Sequence, residues 1–253
     1  MENLKGQHAL VTGGNRGIGA AIAGALTAAG ATVSILGRDE AALRSQVENG
    51  RAQAWRAADV TDAAALSAAA KDLAQASGPI EILVNNAGGA FSAPFGKTSA
   101  DDFRRMIDLN FMGVVHGVHA VLPDMVARGG GRIVTIASTA ALKGYAYVSA
   151  YAAAKHAVLG LTRSLALETA RTGVTVNCVC PGFTDTDLIA GSVDLIVRKT
   201  GREAAEVRAE LAKANPQGRL IAPDEVAAAV VWLCSSQAAS ITGIALPVAG
   251  GEV

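Results

Sequence analysis

Cysteine is scarce in this sequence, and its pattern excludes a disulfide framework. Cys178, Cys180 and Cys234 form an odd, scattered set, unlike the paired cysteines of a small disulfide-stabilised fold. Cys178 and Cys180 are two residues apart in an apolar run, so a zinc pair is conceivable, but no Cys/His pair elsewhere completes such a site. We interpret all three as buried structural thiols and expect no metal.

An excess of charge of either sign is also missing. The 22 Lys and Arg residues balance the 22 Asp and Glu residues, which does not favour nucleic acid or another polyanion as a partner. No uncharged apolar run reaches the roughly 18 residues that a membrane-spanning helix needs. The segment 1–7 lacks the basic-then-apolar pattern of a secretion signal. We therefore expect a cytoplasmic protein without nucleic-acid or membrane partners.

Short apolar runs alternate along the chain with amphipathic stretches. The runs predict strands at His8–Thr12, Thr32–Leu36, Ala52–Ala58, Ile80–Val84, Arg132–Ile136, Thr175–Val179 and Ile244–Val248. The stretches predict helices at Ala20–Ala29, Asp39–Glu48, Asp62–Ala76, within Ser99–Arg128, and at Ala150–Arg171, Glu203–Ala214 and Pro223–Ser235. This alternation predicts an α/β fold: a single doubly wound (Rossmann-type) domain over 1–253, with about seven parallel strands and helices on both faces. Pro247 favours an edge position for the last strand.

The segment Thr186–Gln217 interrupts the alternation. Thr200 and Glu203 have capping-box spacing, and Arg202 and Glu206 are placed to pair at i,i+4. The helix predicted there is either a solvated surface helix or part of a lid over a pocket, and both interpretations stay open.

A glycine-rich turn follows the first strand. Glycines at these positions allow a tight turn, close approach of the backbone to a pyrophosphate and close packing of helix on sheet, with the phosphates at the helix N-terminus. The turn therefore predicts dinucleotide binding by Gly13, Asn15, Arg16, Gly17, Ile18 and Gly19.

The spacing T-G-x-x-x-G-x-G of Thr12–Gly19 resembles the single-domain branch of the short-chain dehydrogenase/reductase family. The sequence Asn-Asn-Ala-Gly at 85–88, after the fourth strand, matches a second motif of that family. The resemblance implies that Asn86, Ala87 and Gly88 lie against the cofactor.

Ser138, Tyr151 and Lys155 follow the fifth strand in the sequence and have the chemistry of a hydride-transfer site. Tyr151 and Lys155 share one face of a helix at i,i+4, thirteen residues beyond Ser138. A phenol has an ordinary pKa of roughly 10, so a neighbouring ammonium and an oxidised nicotinamide are expected to lower it. Ser138 is placed to donate a hydrogen bond to the substrate oxygen as charge develops there. We predict Tyr151 as the general acid/base.

The family resemblance adds further residues. It implies Asn110 as the fourth member of a catalytic tetrad, orienting a water that links Lys155 to solvent. It implies that Pro181, Gly182, Thr184 and Thr186 contact the nicotinamide end and the phosphates, although Thr184 stands where the family often has Val or Ile. It implies that Asp59 and Val60 hold the adenine ring.

The residues after the second strand bear on the choice of cofactor. NAD enzymes of this type usually place an acid there to bind the ribose hydroxyls, whereas this chain has Arg38. A guanidinium suits a 2′-phosphate, and Arg16 is placed to supply a second one. NADP(H) is therefore favoured, and Asp39 keeps NAD(H) possible.

The substrate is less constrained by the sequence. The expected pocket is mostly apolar, with Phe91, Tyr145, Tyr147 and Phe183 available and no Arg/Lys cluster to hold a carboxylate. The stretch 168–183 resembles 3-oxoacyl reductases and polyketide ketoreductases, which implies reduction of a 3-oxoacyl thioester or a hydrophobic ketone. An NAD-dependent catabolic 3-hydroxyacyl or secondary-alcohol dehydrogenase, or a non-catalytic nicotinamide-binding regulator, are the alternatives. The resemblance also implies a homotetramer.

Overall fold

The computed structural model describes residues 4–253, except for the side chain at position 199. Within that range, one parallel sheet has the strand order 3-2-1-4-5-6-7. Its strands are β1 (His8–Thr12), β2 (Thr32–Gly37), β3 (Ala54–Ala57), β4 (Ile80–Asn85), β5 (Gly131–Ile136), β6 (Val174–Pro181) and β7 (Ala245–Val248). The predicted seven-stranded, doubly wound sheet is confirmed, with Pro247 on an edge strand.

Nine α-helices connect or flank these strands in the described residues. They are α1 (Gly17–Ala28), α2 (Glu40–Glu48), α3 (Ala63–Ser77), α4 (Ala100–Ile107), α5 (Gly113–Ala127), α6 (Ser149–Thr169), α7 (Asp187–Thr200), α8 (Ala204–Ala212) and α9 (Pro223–Cys234). Asp39 and Asp62 cap α2 and α3 by accepting hydrogen bonds from backbone N–H groups of the first turn. Pro223 occupies the start of α9, where its missing N–H costs nothing.

Two apolar layers sandwich the sheet. Because side chains alternate along a strand, Leu10 and Leu83 face the layer of α3, α5 and α6, whereas Val11 and Val84 face the layer of α1, α2 and α9. The central strand β1 is buried along its whole length. Strands covered on both faces read as continuous apolar runs, which is why they were recognisable in the sequence.

The sequence-based boundaries were wrong at the ends of three elements. Helix α1 begins at Gly17 rather than Ala20, because the end of the glycine turn already belongs to the first turn of the helix. Strand β3 covers only Ala54–Ala57, since it lies at the sheet edge and pairs with one neighbour. The long helix predicted within Ser99–Arg128 is divided by a π-helical turn at Asp108–Met112.

The segment 186–217 contains two helices, of which only α8 was predicted. The predicted Thr200 cap was wrong: Thr200 is the last residue of α7, and Glu203 is the N-cap of α8. The predicted Arg202–Glu206 pair was also wrong, because Arg202 instead pairs with Glu210 at 2.5 Å. Helices α7 and α8 pack on each other through their own small cluster, built on Ile189, Val193 and Val207.

The three cysteines are free and buried, as the sequence analysis proposed. Burial raises the pKa of Cys178 to about 11 and those of Cys180 and Cys234 to about 12, so the thiols stay protonated at neutral pH. Among residues 4–253, no three His, Cys, Asp or Glu side chains converge as a metal site.

None of the helices in the described part of the chain combines the length and apolar character needed to cross a membrane.

Candidate active site

The strand order reverses between β1 and β4, which opens a crevice at their carboxyl ends. The glycine turn enters this crevice. Gly13 has φ +65°, and a Cβ added to Gly19 would overlap the Gly13 carbonyl oxygen. Glycine is required at both places because the start of α1 lies directly against the turn.

The N-terminus of α1 is open to an anion. Arg16 precedes the helix with extended backbone, and no side chain caps the first turn, which also carries no acidic residue. Gly17 has φ +53° and faces Thr186 across the crevice, with 3.4 Å between the position of a Cβ and the Thr186 methyl carbon. Uncapped N–H groups at a helix start suit a pyrophosphate, so these residues fit a dinucleotide.

Thr12 and Asn86 fasten the glycine turn to the end of β4. The Thr12 hydroxyl accepts hydrogen bonds from the backbone N–H groups of Asn86 and Ala87 at 3.0 and 3.1 Å. In return, the Asn86 amide donates to the carbonyl oxygens of Thr12 and Gly13. Asn86 therefore shapes the turn through these bonds, and Thr12 is a positioning residue that the sequence analysis overlooked despite its place beside Gly13.

Arg38 and Asp59 are predicted cofactor-binding residues of opposite charge, and they face each other beyond the ends of β2 and β3. Nη1 of Arg38 lies 3.5 Å from Oδ2 of Asp59, and the arginine side chain is 75% exposed. A hydrogen bond from the Thr61 backbone holds the pKa of Asp59 below its usual value, and Arg38 lowers it further. Arg16 is exposed at the glycine turn, Asn15 packs against Gly37, and Val60 is buried beneath Gly113.

Helix α6 presents Tyr151 and Lys155 beside the end of β5. Lys155 is buried, and its Nζ donates to the Ile136 carbonyl oxygen at 2.9 Å and lies 5.7 Å from the centre of the Tyr151 ring. Ser138 follows β5 and caps a short helical turn, its Oγ accepting from the backbone N–H of Ala140 at 3.1 Å. The structure thus brings Ser138, Tyr151 and Lys155 to one corner of the crevice.

The electrostatics of this corner differ from the expectation. Burial raises the pKa of Tyr151, and a hydrogen bond with Ser138 only partly offsets the rise. Burial also lowers the pKa of Lys155 to about 8. The expectation that Lys155 lowers the pKa of Tyr151 is wrong for the chain by itself, because burial is the larger effect.

Asn110 lies in the π-helical turn between α4 and α5 and is fully buried. Its amide donates to the carbonyl oxygens of Gly89 and Met106 at 3.0 and 3.2 Å, and its Oδ1 accepts from the Gly89 N–H at 3.2 Å. Gly88 sits directly beside it, since a Cβ there would lie 2.7 Å from Oδ1. The side chain therefore fixes the loop after β4, and π-turns of this kind are frequent at functional sites.

The loop after β6 closes the crevice on the other side. The Thr184 hydroxyl donates to the Gly182 carbonyl oxygen at 3.0 Å, and the Thr186 hydroxyl donates to that of Thr184 at 3.2 Å. Thr184 also bridges to Ile221. The loop that starts at Pro181 is thus tied by these contacts up to the beginning of α7.

The four aromatic pocket candidates occupy different environments. Phe91 packs in a cluster with Tyr151. Phe183 contacts the ring of Tyr145 edge to face, with 6.1 Å between ring centres. Tyr145 is held by hydrogen bonds of its hydroxyl to Thr139 and Glu252. Tyr147 is 63% exposed and has φ +68°.

Lys143 and Glu252 are site-adjacent residues that the sequence did not reveal. They meet at 3.1 Å although 109 residues separate them in the chain. The pocket edge therefore carries charge, whereas the sequence predicted mainly apolar lining. Only the fold brings the last residues of the chain to the loop after β5, so no local pattern could have signalled the pair.

Comparison with known proteins identifies the family. Residues 7–194 match the short chain dehydrogenase family. The chain belongs to the short-chain dehydrogenases. This short-chain dehydrogenase is therefore an oxidoreductase that interconverts a ketone and a secondary alcohol with a nicotinamide cofactor, as the sequence predicted.

Named relatives cover nearly its whole length. It is 40% identical over 253 residues to a 3-oxoacyl-[acyl-carrier-protein] reductase of Vibrio harveyi, covering 98% of each chain. It is 36% identical over 255 residues to a D-beta-hydroxybutyrate dehydrogenase of Cupriavidus necator, covering 99% of each. Among solved structures, a single-residue variant of actinorhodin polyketide ketoreductase with NADPH matches with a TM-score of 0.93, at 35% identity and 97% coverage of each chain. These likenesses confirm the predicted resemblance to 3-oxoacyl reductases and polyketide ketoreductases.

Proposed function

We propose that this short-chain dehydrogenase reduces a 3-oxoacyl thioester or another hydrophobic ketone to the secondary alcohol, with Tyr151 as the proton donor. The observation that carries the proposal is the convergence of Ser138, Tyr151 and Lys155 at one end of the crevice, beside loops suited to a dinucleotide. The bound nicotinamide supplies the hydride.

The protein's own groups manage the proton and the developing charge. Ser138 donates a hydrogen bond to the carbonyl oxygen, which stabilises negative charge as it develops there. Tyr151 delivers the proton to that oxygen. Its raised pKa means that the phenol is protonated at neutral pH, which is the form that reduction requires. Lys155 is a positively charged neighbour below pH 8 and stabilises the phenolate that remains.

Asn110 completes the tetrad as a positioning residue. Its amide holds Gly89 from both sides, and this keeps the 86–89 loop in place beside the cofactor site. We propose, as the family resemblance implies, that Asn110 also orients a water connecting Lys155 to solvent.

We propose NADP(H) as the preferred cofactor. Arg38 is largely exposed at the end of β2, and Arg16 is exposed beside the glycine turn, so both are available to a 2′-phosphate. Asn15, Ile18, Asp59 and Val60 would surround the adenosine, and Gly13, Gly17 and Gly19 the pyrophosphate. The 181–186 loop and Ala87 would hold the nicotinamide end. NAD(H) remains the alternative because Asp59 neutralises part of the Arg38 charge.

We propose α7 and α8 as a lid over the substrate pocket formed by Phe91, Phe183, Tyr145 and Tyr147. The two helices have their own apolar cluster, and an ion pair between Arg208 and Asp185 ties α8 to the loop after β6. Elements with few contacts to the main core open at low free-energy cost, which suits a lid.

We propose a homotetramer in the cytoplasm. Leu167 on α6 is 81% exposed and Val126 on α5 is also exposed, which leaves apolar surface on the two long helices that family resemblance places in subunit contacts. Three unpaired thiols suit a reducing compartment.

A substrate panel tests the proposal. NADPH or NADH oxidation at 340 nm is measured with an acetoacetyl thioester, an aryl ketone and a simple methyl ketone. We expect turnover of the thioester with NADPH. A preference for NADH, or turnover only in the alcohol-oxidising direction, would instead favour the catabolic dehydrogenase. No turnover of any substrate in either direction would favour a non-catalytic regulator.

A further inference from the structure

A salt bridge between Lys143 and the buried carboxylate of Glu252 joins the loop after β5 to the C-terminal segment. Nζ of Lys143 lies 3.1 Å from Oε1 of Glu252 and donates to the Glu252 main-chain oxygen at 3.2 Å. The Glu252 side chain is 1% exposed, whereas that of Lys143 is 39% exposed. A buried carboxylate therefore holds an ammonium that is still accessible to solvent.

This pair lies at the edge of the substrate site. The Tyr145 hydroxyl donates to the Glu252 carboxylate and shares a hydrogen bond with Thr139, the residue next to Ser138. The Tyr145 ring packs on Phe183. Burial raises the pKa of Tyr145, and the Glu252 carboxylate and Tyr151 raise it further, so the pair and the proton donor influence the same phenol.

The negative charge of Glu252 is only partly compensated. Oε2 is buried without a hydrogen-bond partner among the described residues. It faces Gly182, where a Cβ would lie 2.9 Å from it. An unpartnered carboxylate oxygen in a region of low dielectric exerts a stronger field than one in water. The electrostatic potential is therefore negative on this side of the loop that borders the nicotinamide end of the site.

We propose that Glu252 is a specificity-determining residue that makes the site select against ketones bearing a carboxylate. The Glu252 carboxylate pairs with Lys143, so the Lys143 ammonium is not available to bind a substrate anion. The carboxylate also repels such an anion directly. The inference rests on the proposed ketone reductase activity and adds to it the charge class of the substrate: an uncharged ketone, ester or thioester rather than a free oxo acid.

The test compares two ketones that differ in one charge. The kcat/KM values for ethyl acetoacetate and for acetoacetate are measured with NADPH, for the wild type and for Glu252→Gln. The amide keeps the size of the side chain and can still accept the Lys143 hydrogen bond, but it carries no charge. Glu48→Gln, at the exposed end of α2, makes the same change in net charge on the surface and serves as the control.

We expect the wild type to prefer the ester, and Glu252→Gln to raise the acetoacetate-to-ester ratio of kcat/KM at least tenfold. Adding Lys143→Met should reduce that gain, because an ammonium no longer neutralised by a carboxylate is what attracts the acid, and only the part due to lost repulsion by Glu252 should remain. Glu48→Gln should leave the ratio within twofold of the wild type.

An unchanged ratio in Glu252→Gln, with the ester still turned over, would overturn this inference and leave the proposed reductase function intact. A wild-type preference for acetoacetate would also overturn it. If the wild type reduces neither compound nor any ketone of the panel, the proposed function fails and this inference with it. A gain that Lys143→Met leaves undiminished would contradict the role given to Lys143.

Discussion

Asn110 and Gly89 bind each other in both directions. The Asn110 amide donates to the Gly89 carbonyl oxygen at 3.0 Å, while its Oδ1 accepts from the Gly89 N–H at 3.2 Å. The two residues belong to different elements, the π-turn before α5 and the loop after β4. This reciprocal contact couples the helix irregularity to the wall of the cofactor crevice.

Asn110→Ala is therefore expected to impair both stability and turnover. It leaves the partly buried Gly89 N–H and carbonyl groups without their partner and removes a fully buried, multiply bonded amide, which costs about 2–4 kcal/mol. Urea unfolding measures the loss. Asn49→Ala, at the exposed end of α2, is the control and should cost less than about 0.5 kcal/mol. Equal effects of the two substitutions would refute the positioning role.

Arg38→Asp should shift the cofactor preference from NADPH towards NADH. The change removes a cation suited to the 2′-phosphate and introduces an acceptor for the ribose hydroxyls. We expect the NADPH-to-NADH ratio of kcat/KM to fall at least tenfold. Arg44→Asp makes the same charge change on α2, where Arg44 lies 6.0 Å from the centre of the Trp55 ring, and should alter the ratio little. If both variants change the NADPH-to-NADH ratio of kcat/KM equally, Arg38 does not bind the 2′-phosphate.

Burial of the charged Lys155 side chain in the site is expected to lower the free energy of unfolding at neutral pH. Burial lowers its pKa from 10.5 to about 8, so the folded protein releases the proton before the unfolded chain does. Below pH 8 both states are protonated and the cost of burying the charge is fully present. Between pH 8 and 10.5 the unfolded state binds more protons, so this cost disappears as pH rises. The difference in pKa corresponds to about 3 kcal/mol.

Lys155→Met should consequently be more stable than the wild type at pH 7, by about 1–3 kcal/mol once the lost bond to Ile136 is allowed for. Its advantage should shrink as pH rises from 8 towards 10.5. Urea unfolding at pH 7.0 and 9.5 measures both effects, with Lys71→Met on the exposed face of α3 as the control. If Lys155→Met is less stable than the wild type at pH 7, or if its gain in stability does not depend on pH, burial does not lower the pKa of Lys155 as described.

The lid is tested by amide hydrogen exchange. Helices α7 and α8 pack mainly on their own cluster, so their amides should exchange faster than those of the central strands. Adding NADPH with a ketone that the protein reduces should slow exchange in α7 and α8, while α3, on the opposite side of the sheet from α1, should change little. If neither NADPH nor the ketone changes the exchange rates in α7 and α8, the alternative of a solvated surface segment is favoured.

The features predictable from the sequence were those that depend on local pattern. The buried parallel strands read as apolar runs, and residues after each strand end meet at one edge of a parallel sheet. Ser138, Tyr151 and Lys155 could therefore be grouped from their positions along the chain. Their roles in catalysis stay predictions that await the variants described here.

The features that the sequence did not predict arise from long-range packing. The π-turn contains Asn110, which contacts Gly89, and it has no signature of its own in a helical run. Helix α7 was missed because the irregular segment after β6 gives no strong period. The Lys143–Glu252 pair, and the burial that raises the pKa of Tyr151, depend on where distant segments meet.

The most direct test of the account is the turnover of Tyr151→Phe with NADPH and the best ketone of the panel, measured alongside NADPH binding by fluorescence. We expect turnover to fall by at least a thousandfold and NADPH affinity to stay within about threefold of the wild type. Turnover that survives in Tyr151→Phe would contradict the assignment of Tyr151 as the proton donor.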